Sequence, residues 1–142
     1  MKKELQESLF QKYPKIFVQR QLPMSQTCMC WGIECGDGWF KLLDTLCNHL
    51  TFNIERNGAP QLEAIQVKEK FGTLRFYIHG GNNEQYAAIH FAELLSGDIC
   101  ERCGSNQEVT QTQGWIKTLC KECLDKERNE IQKQSKETTS KN

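Results

Sequence analysis

Hydrophobic and polar positions change their period several times along the chain, and each change marks an expected element. Leu5, Leu9, Phe10 and Tyr13 recur at helical spacing until Pro14 stops the pattern, which predicts a short amphipathic helix ending near Lys12. Residues 14–36 carry two prolines and the run Thr27-Cys28-Met29-Cys30-Trp31-Gly32-Ile33-Glu34-Cys35-Gly36, and read as an irregular or short-strand segment. Asp37 is the expected N-cap of the next helix. Trp39, Leu42, Leu43, Leu46, Cys47 and Leu50 mark one face of it to about Thr51, and Asn57-Gly58-Ala59-Pro60 breaks any continuation.

From Leu62 to His79 the period falls to about two. Ile65 and Val67 alternate with polar residues, then Leu74, Phe76 and Ile78 face one side while Arg75, Tyr77 and His79 face the other. Gly72-Thr73 lies between these runs, as a hairpin turn or as a bulge in a longer strand. Gly80-Gly81-Asn82-Asn83 reads as a turn, and an alanine- and leucine-rich helix over 83–96 ends with Gly97 at its C′ position. After Lys126 the only apolar side chain is Ile131, so 132–142 reads as a disordered tail. The sum is an α+β fold: a small antiparallel sheet covered by helices in a body of residues 1–97, then a finger over 98–131.

That finger rests on cysteine spacing. Cys100 and Cys103 are followed by Gly104, and sixteen residues separate them from Cys120 and Cys123. This C-x2-C-x16-C-x2-C pattern falls inside the range for a four-thiolate zinc site. Two residues between thiolates let a tight turn aim both sulfurs at one ion, and Gly104 sits where such a knuckle needs positive φ. Four sulfurs at about 2.3 Å complete a tetrahedron with no open position, the mark of structural rather than catalytic Zn2+. Glu108–Thr112 and Trp115–Leu119 read as two strands joined near Gln113-Gly114, and residues 124–131 are helix-compatible. With that helix the finger is of treble-clef type; without it, a zinc ribbon. The competing reading is two unrelated reduced pairs, one of them redox-active, but a thioredoxin-type motif needs a βαβ setting that the pattern does not announce. Only a short connection separates the 83–96 helix from Cys100, so the finger is expected to pack on the body.

Composition narrows the classes. Lys plus Arg equals Asp plus Glu at 18 each, which removes any global electrostatic pull toward nucleic acid or an anionic membrane. Hydrophobic residues make up 38% of the 142, enough for one modest core that a metal cross-link would supplement. Eight cysteines arranged as C-x-x-C and C-x-C favour thiolate ligands in a reducing compartment over a disulfide framework. Met1–Gln6 is charged and lacks a signal-peptide core, and no run reaches the length of a membrane span, giving a cytoplasmic expectation.

The remaining candidate chemistry is thinner. Cys28, Cys30, Cys35 and Cys47, with His49 in reserve, could form a second metal site, or be simple buried thiols, since Cys47 lies on an apolar helix face. Glu34, Cys35 and Asp37 stand close in sequence, but His49, His79 and His90 are scattered without triad or metal spacing, so no catalytic site is assigned. Lys68, Lys70, Arg75, Tyr77 and His79 share one expected sheet face, able to bind a nucleotide or single strand, or simply solvated, with Glu69 among the lysines. Trp31, Glu34, Asp37 and Trp39 are candidate ligand- or partner-binding residues, and Trp115 is a further candidate contact for a protein partner.

Three stretches taken together carry a resemblance: Cys30–Trp39, Gln66–Tyr77 and Gly114–Cys120. They resemble a family of small proteins of tailed bacteriophages and prophages with a C-terminal four-cysteine finger, over roughly residues 5–125. The resemblance implies a viral accessory protein acting in the host bacterial cytoplasm, and it carries over no catalytic residues. The functional expectations are then a non-enzymatic protein that binds a host factor, as in counter-defence; a binder of a nucleotide signal, with its pocket at a homo-oligomer interface; and, last, a nucleic-acid-binding regulator or nuclease.

Overall fold

A computed structural model of the protein describes residues 1–139. Helix α1 (Lys3–Lys12) buries Leu9 and Phe10 and ends at Tyr13, whose hydroxyl donates to Asp44 Oδ1 at 2.7 Å. Lys12 Nζ meets the same carboxylate at 2.7 Å, which draws Asp44 below the usual carboxylate range and ties α1 to the next helix. Short 3-10 turns carry the chain to β1 (Ile33–Glu34). Asp37 does not cap a helix: it opens a 3-10 turn, and its Oδ1 accepts from the Lys2 backbone amide at 2.7 Å.

Helix α2 (Phe40–Asn57) outruns its expected end at Thr51 and stops at left-handed Gly58. The extra turns hide behind Asn53, a polar residue that occupies a buried position on the apolar face and so interrupts the hydrophobic period. Strands β2 (Leu62–Lys70) and β3 (Thr73–Gly80) pair antiparallel, with Lys70 opposite Thr73. The hairpin therefore turns at Phe71-Gly72, one residue earlier than expected, and a separate bulge falls at Ile65. β1 pairs parallel to β2, Ile33 with Val67 and Glu34 with Lys68, so the sheet is mixed, in the order β1-β2-β3. Its parallel edge follows from connectivity: β1–α2–β2 is a crossover, and a helix between adjacent strands returns the chain in the same direction. A two-residue β1 leaves no period-two signal to read.

Helix α3 (Asn83–Ser96) begins with a capping box in which Asn82 and Gln85 exchange side-chain and backbone hydrogen bonds at 3.0 and 2.9 Å. Gly97 is right-handed rather than the left-handed C′ residue expected, because the helix tightens into further turns at Asp98 and Ile99. Along β3 the helix supplies hydrogen-bond partners to the strand edge: Ser96 Oγ accepts from Leu74 N at 2.8 Å and Glu93 Oε1 from Phe76 N at 2.9 Å. The core face of the sheet, Leu62, Ala64, Val67, Leu74 and Phe76, closes against α2, α3 and the N-terminal segment. Phe17 lies in its middle, edge-on to Phe10 and Phe76 at 5.2 and 6.3 Å between centroids.

The finger adds β4 (Val109–Gln111) antiparallel to β5 (Thr118–Cys120), then α4 (Lys121–Thr139). Helix α4 occupies most of the segment read as a disordered tail; 140–142 of that reading lie outside the described residues. Gln132 and Lys133 are straight-chain helix formers that continue the helix-compatible run 124–131, so the lack of apolar residues does not mean the lack of a helix. Lys117–Glu127 and Arg102–Glu130 ion pairs hold its early turns to the finger.

Candidate metal centre and its surroundings

The knuckle, hairpin and helix bring four thiols together. Cys100 and Cys103 flank the knuckle, Gly104 comes next at φ +80°, Cys120 ends β5 and Cys123 lies in the first turn of α4. This is the treble-clef order, with the helix carrying the second pair. Their four Sγ atoms lie within 4.8 Å of one another, and Cys103 to Cys120 is 3.6 Å. Sulfurs placed about 2.3 Å from a central ion would stand about 3.8 Å apart, so the cluster can hold a metal ion with little adjustment. Cys100, Cys120 and Cys123 are buried and Cys103 is exposed. Burial pushes the Cys100 thiol up, but backbone amides of Cys120, Cys103 and Arg102 outweigh it and bring it down to about 7. Burial raises Cys123, and crowding against the other three thiols raises it further. An all-sulfur set of this kind suits zinc and leaves no position for a reacting water. Among the described residues no other group of three or more metal-binding side chains assembles.

The unusual glycine- and tryptophan-rich stretch of the sequence is the seat of this finger. Gly36 N donates to Glu101 Oε1 at 2.8 Å and Gly38 N to Glu101 O at 2.8 Å, while Glu101 N reaches Thr118 O at 2.9 Å. Burial raises the Glu101 carboxyl, and the Gly36 amide opposes that shift. Gly38 runs so close to the knuckle that an added Cβ would lie 2.1 Å from Cys100 O and 2.5 Å from Gly104 N. Both obstacles are backbone, so neither can rotate away. Gly38→Ala is therefore expected to lift the finger off the body and lower stability by about 2–3 kcal/mol. Thermal unfolding of the metal-loaded variant measures this, and a Tm equal to wild type would contradict the close docking.

The other expected site residues are dispersed. Trp39 is fully buried and cannot contact a partner; its ring fills the core and its Nε1 donates to Ile99 O at 2.9 Å. Trp31 is 64% exposed and Trp115 79%. Glu34 is exposed opposite Lys68, and Asp37 is engaged by Lys2. Cys35 and Cys47 are core thiols, Cys35 pushed up to about 12 by burial, while Cys28 is exposed and Cys30 donates to Thr27 O at 3.2 Å. His49 Nε2 is 3.1 Å from Asn53 Nδ2. Those cysteines do not form a second metal site among the described residues, because two of them serve the core.

On the sheet, Lys68 faces Arg75, Gln66 faces Tyr77 and Glu63 faces His79. The five expected face residues do not line one pocket. Tyr77 borders a cleft with Met24 and Cys28, whereas Lys68 and Lys70 border another at the junction with the finger. Phe71, 68% exposed in that second cleft, escapes a reading that puts the turn at Gly72-Thr73. An aromatic residue just before a glycine, outside the alternation, is the available signal.

Fold and site together define an α+β protein whose C-terminal four-cysteine finger is built into the body. Comparison with family models, with curated proteins and with solved structures finds no match to the chain. No helix among the described residues is long and apolar enough to cross a membrane.

Proposed function

We propose that this is a non-enzymatic accessory protein of a tailed phage or prophage, held together by structural zinc and acting by binding a host factor in the bacterial cytoplasm. The observation that carries the reading is the closed thiolate cluster: its four donors are all cysteine sulfur, so the metal has a folding role and no site for substrate. Large aromatic side chains left in water, Trp31 and Trp115, fit a surface that works by contact. None of the three histidines lies between Cys100 and Cys123 and none joins the cluster, which further favours binding over hydrolysis.

Affinity purification of the tagged protein from infected host cells tests the reading. A stoichiometric host protein is expected with wild type and with a Lys3→Ala control, reduced severalfold with Trp31→Ala or Trp115→Ala. Elemental analysis of the same preparation is expected to give about one zinc per chain. Recovery of the chain alone, with zinc bound and fold intact, would remove the host-factor reading.

A further inference from the structure

We propose that the cleft between the β2–β3 turn and the finger hairpin binds an unpaired nucleotide, its base stacked on Phe71 and Trp115 and its phosphate held by Lys68 and Lys70. The cleft measures about 330 Å³, within the range of small-molecule sites. Phe71 stands on the lip formed by the body and Trp115 on the lip formed by the finger.

Neither ring is where folding alone would put it. Phe71 occupies the first position of a two-residue turn at φ +52°, with Gly72 after it at φ +76°. Positive φ at both positions is the type I′ pattern, whose favoured pair is Asn-Gly; a bulky residue there is strained. The strain is not offset by burial, since the ring is 68% exposed. Trp115 is 79% exposed at the tip of the finger hairpin, where Thr112 Oγ1 donates to its carbonyl at 2.6 Å and fixes the backbone. Backbone strain combined with an exposed aromatic ring is the kind of outlier that points to a contact made by the ring.

The walls are braced. Thr118 Oγ1 donates to Gly72 O across the junction, and a Cβ on Gly72 would lie 2.9 Å from Ile116. The charges around the cleft complete the pattern. Lys68 lies beside Arg75 in register, Lys70 Nζ hovers 5.5 Å from the Phe71 centroid, and these three cations form no ion pair among the described residues. Glu69 is the one acid on the lining, and its Oε1 is engaged by the Gly72 amide at 2.6 Å. Glu34 lies on the far side of Lys68, so the positive side of the strip is the one running from Arg75 to Lys70. Exposed aromatic rings, one of them already beside a lysine, next to cations without an ion pair suit a base and its phosphate. The site shares Trp115 with the proposed contact surface, but nucleotide binding by the purified chain and recovery of a host protein are separate readouts, so either can fail alone.

The test uses the zinc-loaded full chain at low salt, with fluorescence anisotropy of labelled decathymidylate and decauridylate and calorimetric titration of adenosine monophosphate. Trp115→Ala is expected to weaken binding about tenfold or more, as loss of one stacking platform does. Phe71→Asn is expected to do the same while raising Tm, because it relieves the turn; a folding defect therefore cannot explain its loss. Lys68→Gln with Lys70→Gln is expected to flatten the salt dependence. Binding of the oligomers alone assigns the nucleotide to a strand, and comparable binding of the monophosphate assigns it to a free ligand. No binding by wild type, or wild-type affinity in both Trp115→Ala and Phe71→Asn, overturns the proposal.

Discussion

Chelating the metal, or replacing one ligand as in Cys120→Ser, is expected to unfold the finger outright. The apolar cluster inside it consists of Cys100, Leu119, Cys120 and Cys123, with Val109 and Leu124 packed alongside. Three of the four buried members are ligands, so the finger has almost no core once the thiols separate. Structural zinc in fingers contributes on the order of 10 kcal/mol at neutral pH. That is comparable to the whole stability of an ordinary domain, about 5–15 kcal/mol. Hydrogen exchange would show amides of 100–133 losing protection in chelator. The body should lose stability with them, since Glu101 and Ile99 would release Gly36, Gly38 and Trp39. Finger amides that stay protected without metal would defeat the metal-dependent core.

Trp39→Ala is expected to cost about 3–5 kcal/mol, the usual range for emptying a fully buried large aromatic site. Two losses combine. The ring leaves a void in the body core, and the Ile99 carbonyl, one residue before Cys100, loses its indole donor. Trp39→Phe separates them, keeping most of the packing and forfeiting the hydrogen bond, for about 1–3 kcal/mol. Urea unfolding of the metal-loaded variants reads both values. A change of less than about 1 kcal/mol for Trp39→Ala would mean that the residue does not join core to finger.

Elements with a long, regular period were legible in the sequence. The helices ending near Lys12 and over 83–96, the alternation through Leu74, Phe76 and Ile78, and the four-cysteine spacing all reappear in the structure. The misses share a physical origin: local pattern says little where tertiary contact decides. Asp37 had the chemistry of a cap, but a distant backbone amide at Lys2 claimed its carboxylate. Trp39 lies on the apolar face of its expected helix and still stands beside Trp31 as a candidate contact residue, yet of the two only Trp31 is exposed, and Trp39 links the core to the finger. Gly38 carries no local signal of its role, because its constraint is the backbone of residues more than sixty positions away. The tail failed for the opposite reason, since α4 needs intrinsic propensity rather than burial.

The way α3 lies along β3 restricts how anything can join this sheet. On one side the edge amides of Leu74 and Phe76 already have partners in Ser96 and Glu93. On the other, β1 is only two residues long and offers too little ladder for another strand to copy. Strand addition, a recurring way for a sheet to recruit extended peptides or copies of itself, is thereby hindered at both margins. An extended peptide finds little free backbone to pair with here, and the same obstruction guards the sheet against templated aggregation.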